Sequence, residues 1–242
     1  MNSTAKGRVD GEVAFVLHAY PFRETSLIVE AFSRDHGRVA LVARGARRPR
    51  SAMRGLLMAF QPIELGWFGH GEMRTLAKVE WVGGQPPLKA QALILGYYMN
   101  ELMLKLMPRD DAHPALFLAY AEAVHALAAG EDSQPSLRRF ELTLLRELGY
   151  GLTLDREVEG GRPVDPQKRY AYIVERGPVL ASEREHEMET FTGRTLLAMA
   201  QDDFSEAETL VQAKQLMRTL IHHYLGGQRL SSRRVFMELQ EL

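Results

Sequence analysis

Cysteine is absent from this 242-residue chain. That single absence removes a disulfide framework, a thiol nucleophile, an iron–sulfur cluster and the usual thiolate zinc sites. It also fits a reducing compartment. Long apolar runs are missing too: nothing approaches the roughly 18 uninterrupted apolar residues of a membrane span. The polar stretch Met1 to Asp10 lacks the apolar core of a signal peptide. A net charge of −1 points by itself to no particular partner. These readings predict a soluble, cytoplasmic protein. What is present is ordinary for a globular chain, with 45% hydrophobic and 25% charged residues, enough to bury a core in one large or two modest domains.

Catalytic signatures are missing as well. No Gly-rich loop runs into Lys-Ser/Thr, and no Gly-x-Ser-x-Gly elbow occurs. Gly69-His70-Gly71 and Gly149-Tyr150-Gly151 lack the third glycine of a dinucleotide fingerprint and read as turns. The acid pairs Asp110-Asp111 and Asp202-Asp203 fall at predicted helix starts, where carboxylates favour the helix dipole. Eight histidines are present, yet His222 and His223 are adjacent and diverge by about 100° on a helix. His186-Glu187-Met188-Glu189 lacks the second histidine of a zinc-protease helix, and the others are scattered. Neither an enzyme nor a metal site is expected.

Charge is unevenly distributed. Residues 1–82 carry 2 Lys and 10 Arg against 8 acids, whereas the remaining 160 carry 18 basic and 23 acidic residues. The basic third also reads as β structure, with short runs rich in Val, Ile, Phe and Trp between Gly, Pro and Asp. Strands are predicted at Glu12 to Tyr20, Ser26 to Phe32, Arg38 to Ala43, Pro62 to Phe68 and Arg74 to Val82. In the first, Val13, Phe15 and Leu17 alternate with Ala14, Val16 and His18. Leu56, Leu57 and Phe60 lie at helical spacing, so a short helix is expected within Ser51 to Phe60. Three strands, a helix and two strands is the order of an OB-fold, a small Greek-key barrel. Another five-stranded antiparallel barrel or an SH3-like roll would also satisfy the pattern.

Gly83-Gly84-Gln85-Pro86-Pro87 closes the β region. The fold class is therefore α+β and multidomain: an OB-fold domain at 1–82, then a helical bundle domain at 88–242 with an irregular insertion over about 151–189. Helices are predicted at Leu88 to Met107, Pro114 to Ala129 and Ser136 to Leu148, then at Thr192 to Ala200, Ser205 to Leu225 and Ser231 to Leu239. The first is apolar nearly all round, which predicts a place at the bundle centre. Ser136 is the expected N-cap of the third and Gly149 its stop. Within the insertion only Arg169 to Val174 resembles a strand, so loops with a small hairpin are expected there.

The strongest local signal is Gly37 to Arg54, which holds Arg38, Arg44, Arg47, Arg48, Arg50 and Arg54 and no acid. Guanidinium groups are planar, always charged and able to grip phosphate with two parallel bonds. Beside an OB sheet such a loop can follow a sugar–phosphate backbone; a solvated basic loop with no ligand is the plainer reading. Phe22, Phe32, Trp67 and Phe68 are candidates for base stacking, with a core or half-buried place the plainer reading of each. A second basic spot is Arg138-Arg139, with Arg146 on the face of Arg139 at i, i+7. With Leu142 and Leu145 alongside, that face could receive an acidic peptide with a hydrophobic end, or simply carry solvent-facing arginines near Glu141 and Glu147.

The chain resembles the RecO family of recombination mediators over essentially its whole length. The stretches that carry the likeness are Tyr20-Pro21-Phe22-Arg23-Glu24-Thr25-Ser26 and Ala43-Arg44-Gly45-Ala46-Arg47-Arg48, then Asn100-Glu101-Leu102, His113-Pro114-Ala115-Leu116-Phe117, Arg139-Phe140-Glu141-Leu142, Leu148-Gly149-Tyr150, Thr192-Gly193-Arg194 and Leu230-Ser231-Ser232-Arg233. The resemblance implies an N-terminal OB-fold, a helical C-terminal domain, binding of single- and double-stranded DNA, and annealing of complementary strands. It further implies RecR as a partner, contact with the C-terminal tail of single-stranded DNA-binding protein, an indirect role toward RecA, and a nucleoid-associated place in the cytoplasm. On it, the arginines named above become expected DNA ligands, and Arg138, Arg139, Leu142 and Arg146 expected contacts of the tail. Many family members hold zinc through four cysteines in the insertion; this chain has none there, so no zinc and no other cofactor is expected.

Overall fold

Apolar residues alternating with polar ones between residues 8 and 81 build the five strands of the first structural layer, in a computed structural model that describes residues 7–181 and 189–240. These are β1 (Arg8–Phe22), β2 (Ser26–Ser33), β3 (Gly37–Ala43), β4 (Pro62–Phe68) and β5 (Met73–Trp81), with the one-turn helix α1 (Met53–Leu56) between β3 and β4. They close into a barrel in the order β1-β2-β3-β5-β4. Every neighbouring pair is antiparallel except β3 with β5, which run parallel from Ala40↔Met73 to Val42↔Thr75. That one parallel pairing separates an OB-type barrel from an all-antiparallel one. The interior holds Ala14, Val16, Val29, Ala31, Val39, Leu41, Ile63, Leu65 and Trp67, and Leu57 joins them just after α1.

Inward and outward residues alternate in β1 from Glu12 only as far as Val16. The register shifts there, so that Val16 opposes Ala31 and His18 opposes Glu30, with Leu17 left out of the ladder. This bulge corrects the simple alternation expected for the strand: His18 falls on the outer side with Phe15, not with Ala14 and Val16. A bulge of this kind re-aims side chains and leaves a backbone group without its ladder partner.

Five further helices and three short strands follow. They are α2 (Ala90–Leu106), α3 (Pro114–Ala129), α4 (Gln134–Glu147), β6 (Arg169–Ile173), β7 (Gly177–Leu180), β8 (Thr190–Thr192), α5 (Gly193–Ala200) and α6 (Ala207–Tyr224), and the chain ends in a further helix, α7 (Ser231–Gln240). Packing groups residues 1–131 with 230–242 as one unit, and 132–229 as another. The long apolar helix α2 thus lies against β1, α3 and α7 in the barrel's unit; it is not the centre of the later helices, as its all-round apolarity suggested. Pro135 occupies the first turn of α4 and Ser133, not Ser136, is its N-cap residue, so that helix begins one turn earlier than expected. Gly149, at φ 79°, follows its end.

In the first unit, α2 and α3 cover one end of the barrel's outer wall. Phe15 and Phe32, outward neighbours on β1 and β2, meet Phe117 at 5.6 and 5.4 Å and Tyr120 at 5.2 and 5.9 Å between ring centroids, the Tyr120 contacts edge-on. Behind them, buried Asn100 donates from Nδ2 to the Leu17 carbonyl at 2.8 Å, and the Tyr120 hydroxyl donates to Asn100 Oδ1 at 2.6 Å. Burial pushes the Tyr120 phenol well above its ordinary range, so it stays protonated and donating. The linker after α2 is fastened to β3: the Asp110 amide donates to the Arg38 carbonyl at 2.9 Å. Gly37 permits this approach, because its φ is 67° and a Cβ there would lie 1.8 Å from the Asp111 carbonyl oxygen. Asp110, at φ 61°, also pairs with Arg74 at 2.7 Å, so this acid serves a turn and an ion pair and not a helix start.

The second unit packs α6 on α4 and α5, with the sheet β7-β6-β8 beside α5. Within the insertion β6 and β7 pair as a small antiparallel hairpin, and β8, just past it, pairs with the other side of β6. Buried Glu157 bonds Arg162 at 3.0 Å and accepts from the Tyr170 hydroxyl at 3.1 Å, and that hydroxyl accepts from the Asp165 amide at 2.8 Å. Thr192 caps α5 by accepting from the Thr195 amide at 3.2 Å. Among the described residues no helix is long and apolar enough to cross a membrane.

Two outcomes are expected from the first unit. Asn100→Ala strands the buried Leu17 carbonyl and removes the acceptor of Tyr120, and should lower unfolding stability by about 3 kcal/mol in urea titration. Glu101 on α2 caps α7, accepting from the Ser231 and Ser232 amides at 2.9 Å each and from the Ser232 hydroxyl at 2.7 Å. Burial works to raise its pKa, but these bonds outweigh burial and hold the carboxyl below its ordinary value. Its contribution is then complete above the unfolded carboxylate value of about 4.3 and is lost as pH falls through the lower folded value. The stability difference between wild type and Glu101→Gln should accordingly be largest at neutral pH and shrink toward pH 3.

Candidate nucleic-acid interface

β3 delivers its arginine loop at the rim of the barrel. Beyond Ala43 the chain turns at Gly45, whose φ of 71° suits glycine, and pushes Ala46 into the barrel core. Short turns follow, with the Arg48 amide on the Gly45 carbonyl at 3.1 Å, Ser51 on Arg48 at 3.0 Å and Arg54 on Ser51 at 3.2 Å. With Ala46 and Leu57 anchored inside, Arg44, Arg47, Arg48, Arg50 and Arg54 are left exposed.

The loop is strapped to the β1–β2 turn. The Arg47 amide donates to the Thr25 carbonyl at 2.8 Å, and its guanidinium to the Arg23 and Glu24 carbonyls at 3.2 and 3.3 Å. This brings in exposed Arg23, at φ 52°, with its guanidinium 5.2 Å from the Phe22 ring. Sequence reasoning passed over Arg23 as a turn residue. Its nearness to Arg47, 24 residues away, is a consequence of β2–β3 pairing, which sets Leu27 opposite Ala43, and the sequence shows only the Arg-Glu-Thr turn itself. Within ion-pair distance of these six guanidiniums there is no carboxylate among the described residues. Charges so close repel within the ~10 Å screening length at 0.1 M salt, and a polyanion relieves that repulsion.

Arg38 does not belong to this group. It donates to the Leu104 carbonyl, lies 3.7 Å from Glu30 and shares that buried carboxylate with Arg109. Burial lowers its pKa while Glu30 works to raise it. The expected supporting role beside the loop is thus corrected: Arg38 is committed to holding the segment after α2 on the barrel. Of the aromatic candidates, Phe32 and Trp67 are core, Phe22 is half-buried and Phe68 is exposed. Tyr20, 44% exposed and edge-on to His18 at 4.3 Å, was not singled out from sequence.

The second expected face is also changed. Arg138 and Glu141 form a buried pair at 2.9 Å, with 5% and 1% of their side chains exposed, and Leu142 is fully buried. Arg139 and Arg146 do share a face. There Arg146 binds the Asp202 carboxylate at 3.0 Å and the Met199 and Ala200 carbonyls at 3.4 Å, satisfying the end of α5, while Arg139 donates to the Asp202 carbonyl at 3.3 Å. Asp202, at φ 55°, is thus a helix-end residue, and Asp203 accepts from the Ser205 amide at 3.0 Å in the turn before α6.

Two family models match successive parts of the chain. The model described as the Recombination protein O N terminal covers residues 12–85, and that of the Recombination protein O C terminal covers 88–234. The chain belongs to the RecO family of DNA repair proteins. Proteins named DNA repair protein RecO share 62% identity in Aromatoleum aromaticum over 98% of this chain and 99% of the relative. The figures are 58% in Azoarcus sp. and 53% in Dechloromonas aromatica, each with 98% and 99% coverage. The two RecO models meet at the Gly-Pro linker, whereas packing places α2, α3 and α7 with the barrel.

Zinc, implied by the RecO resemblance, finds no fitting donors. The insertion lacks cysteine, Glu157 is committed to Arg162 and Tyr170, and no group of three His, Asp or Glu that could hold a metal occurs among the described residues. His223 faces Glu175 at 3.5 Å, and His186-Glu187-Met188 lies outside the described residues.

Removing Arg138 should be costly, since it withdraws the guanidinium from a buried carboxylate. Arg138→Met is expected to destabilise by about 3 kcal/mol or more, against under about 1 kcal/mol for exposed Arg139→Ala, in urea titrations of the two variants.

Proposed function

We propose that this protein is a non-enzymatic recombination mediator that binds single- and double-stranded DNA through the exposed arginine cluster and anneals complementary strands. The observation that carries the reading is the cluster itself: Arg23, Arg44, Arg47, Arg48, Arg50 and Arg54 gathered on one rim of an OB-type barrel, with no carboxylate among the described residues paired to them. Family membership supports it, since the relatives bear the name DNA repair protein RecO. Covering phosphate charge lowers the repulsion between two strands, which is how a protein without an active site accelerates annealing.

With RecR, the protein helps RecA load on DNA covered by single-stranded DNA-binding protein, whose C-terminal tail it recognises. Of the α4 residues expected to contact that tail, Arg138 and Leu142 are buried and Arg139 and Arg146 are engaged by Asp202, which leaves none of them free to receive it. The protein works in the cytoplasm on the nucleoid, and it does so without zinc or another cofactor.

Arg47 holds the loop in place, so the discriminating variant spares it. Anisotropy of labelled single-stranded DNA across a salt series should show affinity falling steeply for wild type. Each phosphate contact contributes roughly 0.7 to the log–log slope, so Arg44→Glu, Arg48→Glu and Arg50→Glu together should reduce it by about 2 and weaken binding. An unchanged slope in a folded variant would sink the assignment. Lack of DNA binding by wild type would leave a protein–protein adaptor as the better reading.

A further inference from the structure

The barrel's outer wall is covered at one end and open at the other. Across β1, β2 and β3 the covered end carries Phe15 opposite Phe32, under the rings of α3. Past the bulge at Leu17, the same outer side presents Tyr20 opposite Ile28, and Ile28 opposite Val42, one residue from each of three neighbouring strands. Phe22 follows Tyr20 by two, so it lies on the same side, opposite Ser26. Tyr20 is exposed; Ile28, Val42 and Phe22 are half-buried. None of these residues is charged.

The edges of this strip are charged. On one side Arg23 stands over Phe22, and Arg44 follows Val42 by two beyond the end of β3; on the other lies the Arg38–Glu30–Arg109 group. An apolar strip bordered on one side by guanidiniums that pair with no carboxylate among the described residues suits a ligand with flat apolar faces on an anionic backbone. Strands lie ~4.8 Å apart, and residues two apart along a strand are separated by ~6.7 Å. The rings of Tyr20 and Phe22 therefore have room for a base each. Bases in a duplex are stacked on one another and cannot lie on a protein surface, whereas those of a single strand can.

We propose that Tyr20, Phe22, Ile28 and Val42 form a platform for unpaired bases, which gives the arginine site its selectivity for single strands. The inference rests on the DNA reading above and adds to it a division of labour. The arginines hold the backbone of either form of DNA; the strip responds only to bases that are free to leave the stack.

The test uses the full chain with labelled oligo-dT and a labelled duplex of equal length. Tyr20→Ala with Phe22→Ala should weaken oligo-dT binding about a hundredfold, roughly tenfold for each of the two stacked bases lost. Duplex affinity should stay within about twofold, and the salt slope for oligo-dT should be unchanged, because no phosphate contact is lost. Retention of the wild-type melting temperature checks the fold. As a readout that removes no ring, Tyr20→Trp in a Trp81→Phe background should lose tryptophan emission on adding oligo-dT and keep it on adding duplex.

Equal losses for both DNA forms, or none for either, would overturn the platform, as would a Tyr20→Trp signal that ignores oligo-dT. If the arginine variant loses both forms while the aromatic variant keeps both, DNA binding stands and only the platform fails. If wild type binds neither form, both fall together.

Discussion

A single buried amide organises the first unit. The bulge in β1 leaves the Leu17 carbonyl outside the strand ladder, and Asn100 of α2 supplies the donor that it lacks, itself held by Tyr120 of α3. An unpaired buried carbonyl is costly enough that the helices and the barrel are specified together. The same bulge divides the outer wall. On one side of it Phe15 and Phe32 are sealed under Phe117 and Tyr120; on the other Tyr20 stays open beside the basic rim. The rings of α3 thus cover the wall on one side of the bulge and leave Tyr20 uncovered on the other.

Arginines in this chain have two fates, and residue type does not separate them. Arg38 and Arg138 are committed to buried acids, whereas the exposed loop arginines a few residues beyond Arg38 pair with no carboxylate among the described residues. A buried guanidinium needs a partner to offset its desolvation, and its pairing consumes the charge that recognition would use. An exposed cluster without acids is poorly stabilised by the fold alone, which is why it carries the functional proposal.

In the insertion, hydrogen bonds around one buried acid hold the described part of a small sheet. Its centre is the Tyr170 hydroxyl, accepting from the Asp165 amide and donating to Glu157, with Arg162 on the same carboxylate. Charge-assisted bonds around one buried acid supply there the cross-links that thiolates and zinc could not supply in a chain free of cysteine.

Local pattern determined a good deal by itself. All five barrel strands, the helices, the Gly-Pro linker, the stop at Gly149 and the basic, acid-free loop follow from periodicity and turn chemistry, which act over a few residues. Tertiary structure alone decided which side of β1 His18 and Tyr20 face, since the bulge is set by pairing with β2. It alone placed α2 and α3 on the barrel, recruited Arg23 to the arginine loop, and withdrew Arg38 and Arg138 from the surface. The reason is the same in each case: whether a side chain is buried, and what pairs with it there, depends on residues brought together from elsewhere in the fold, and composition and spacing along a strand or helix carry no record of them.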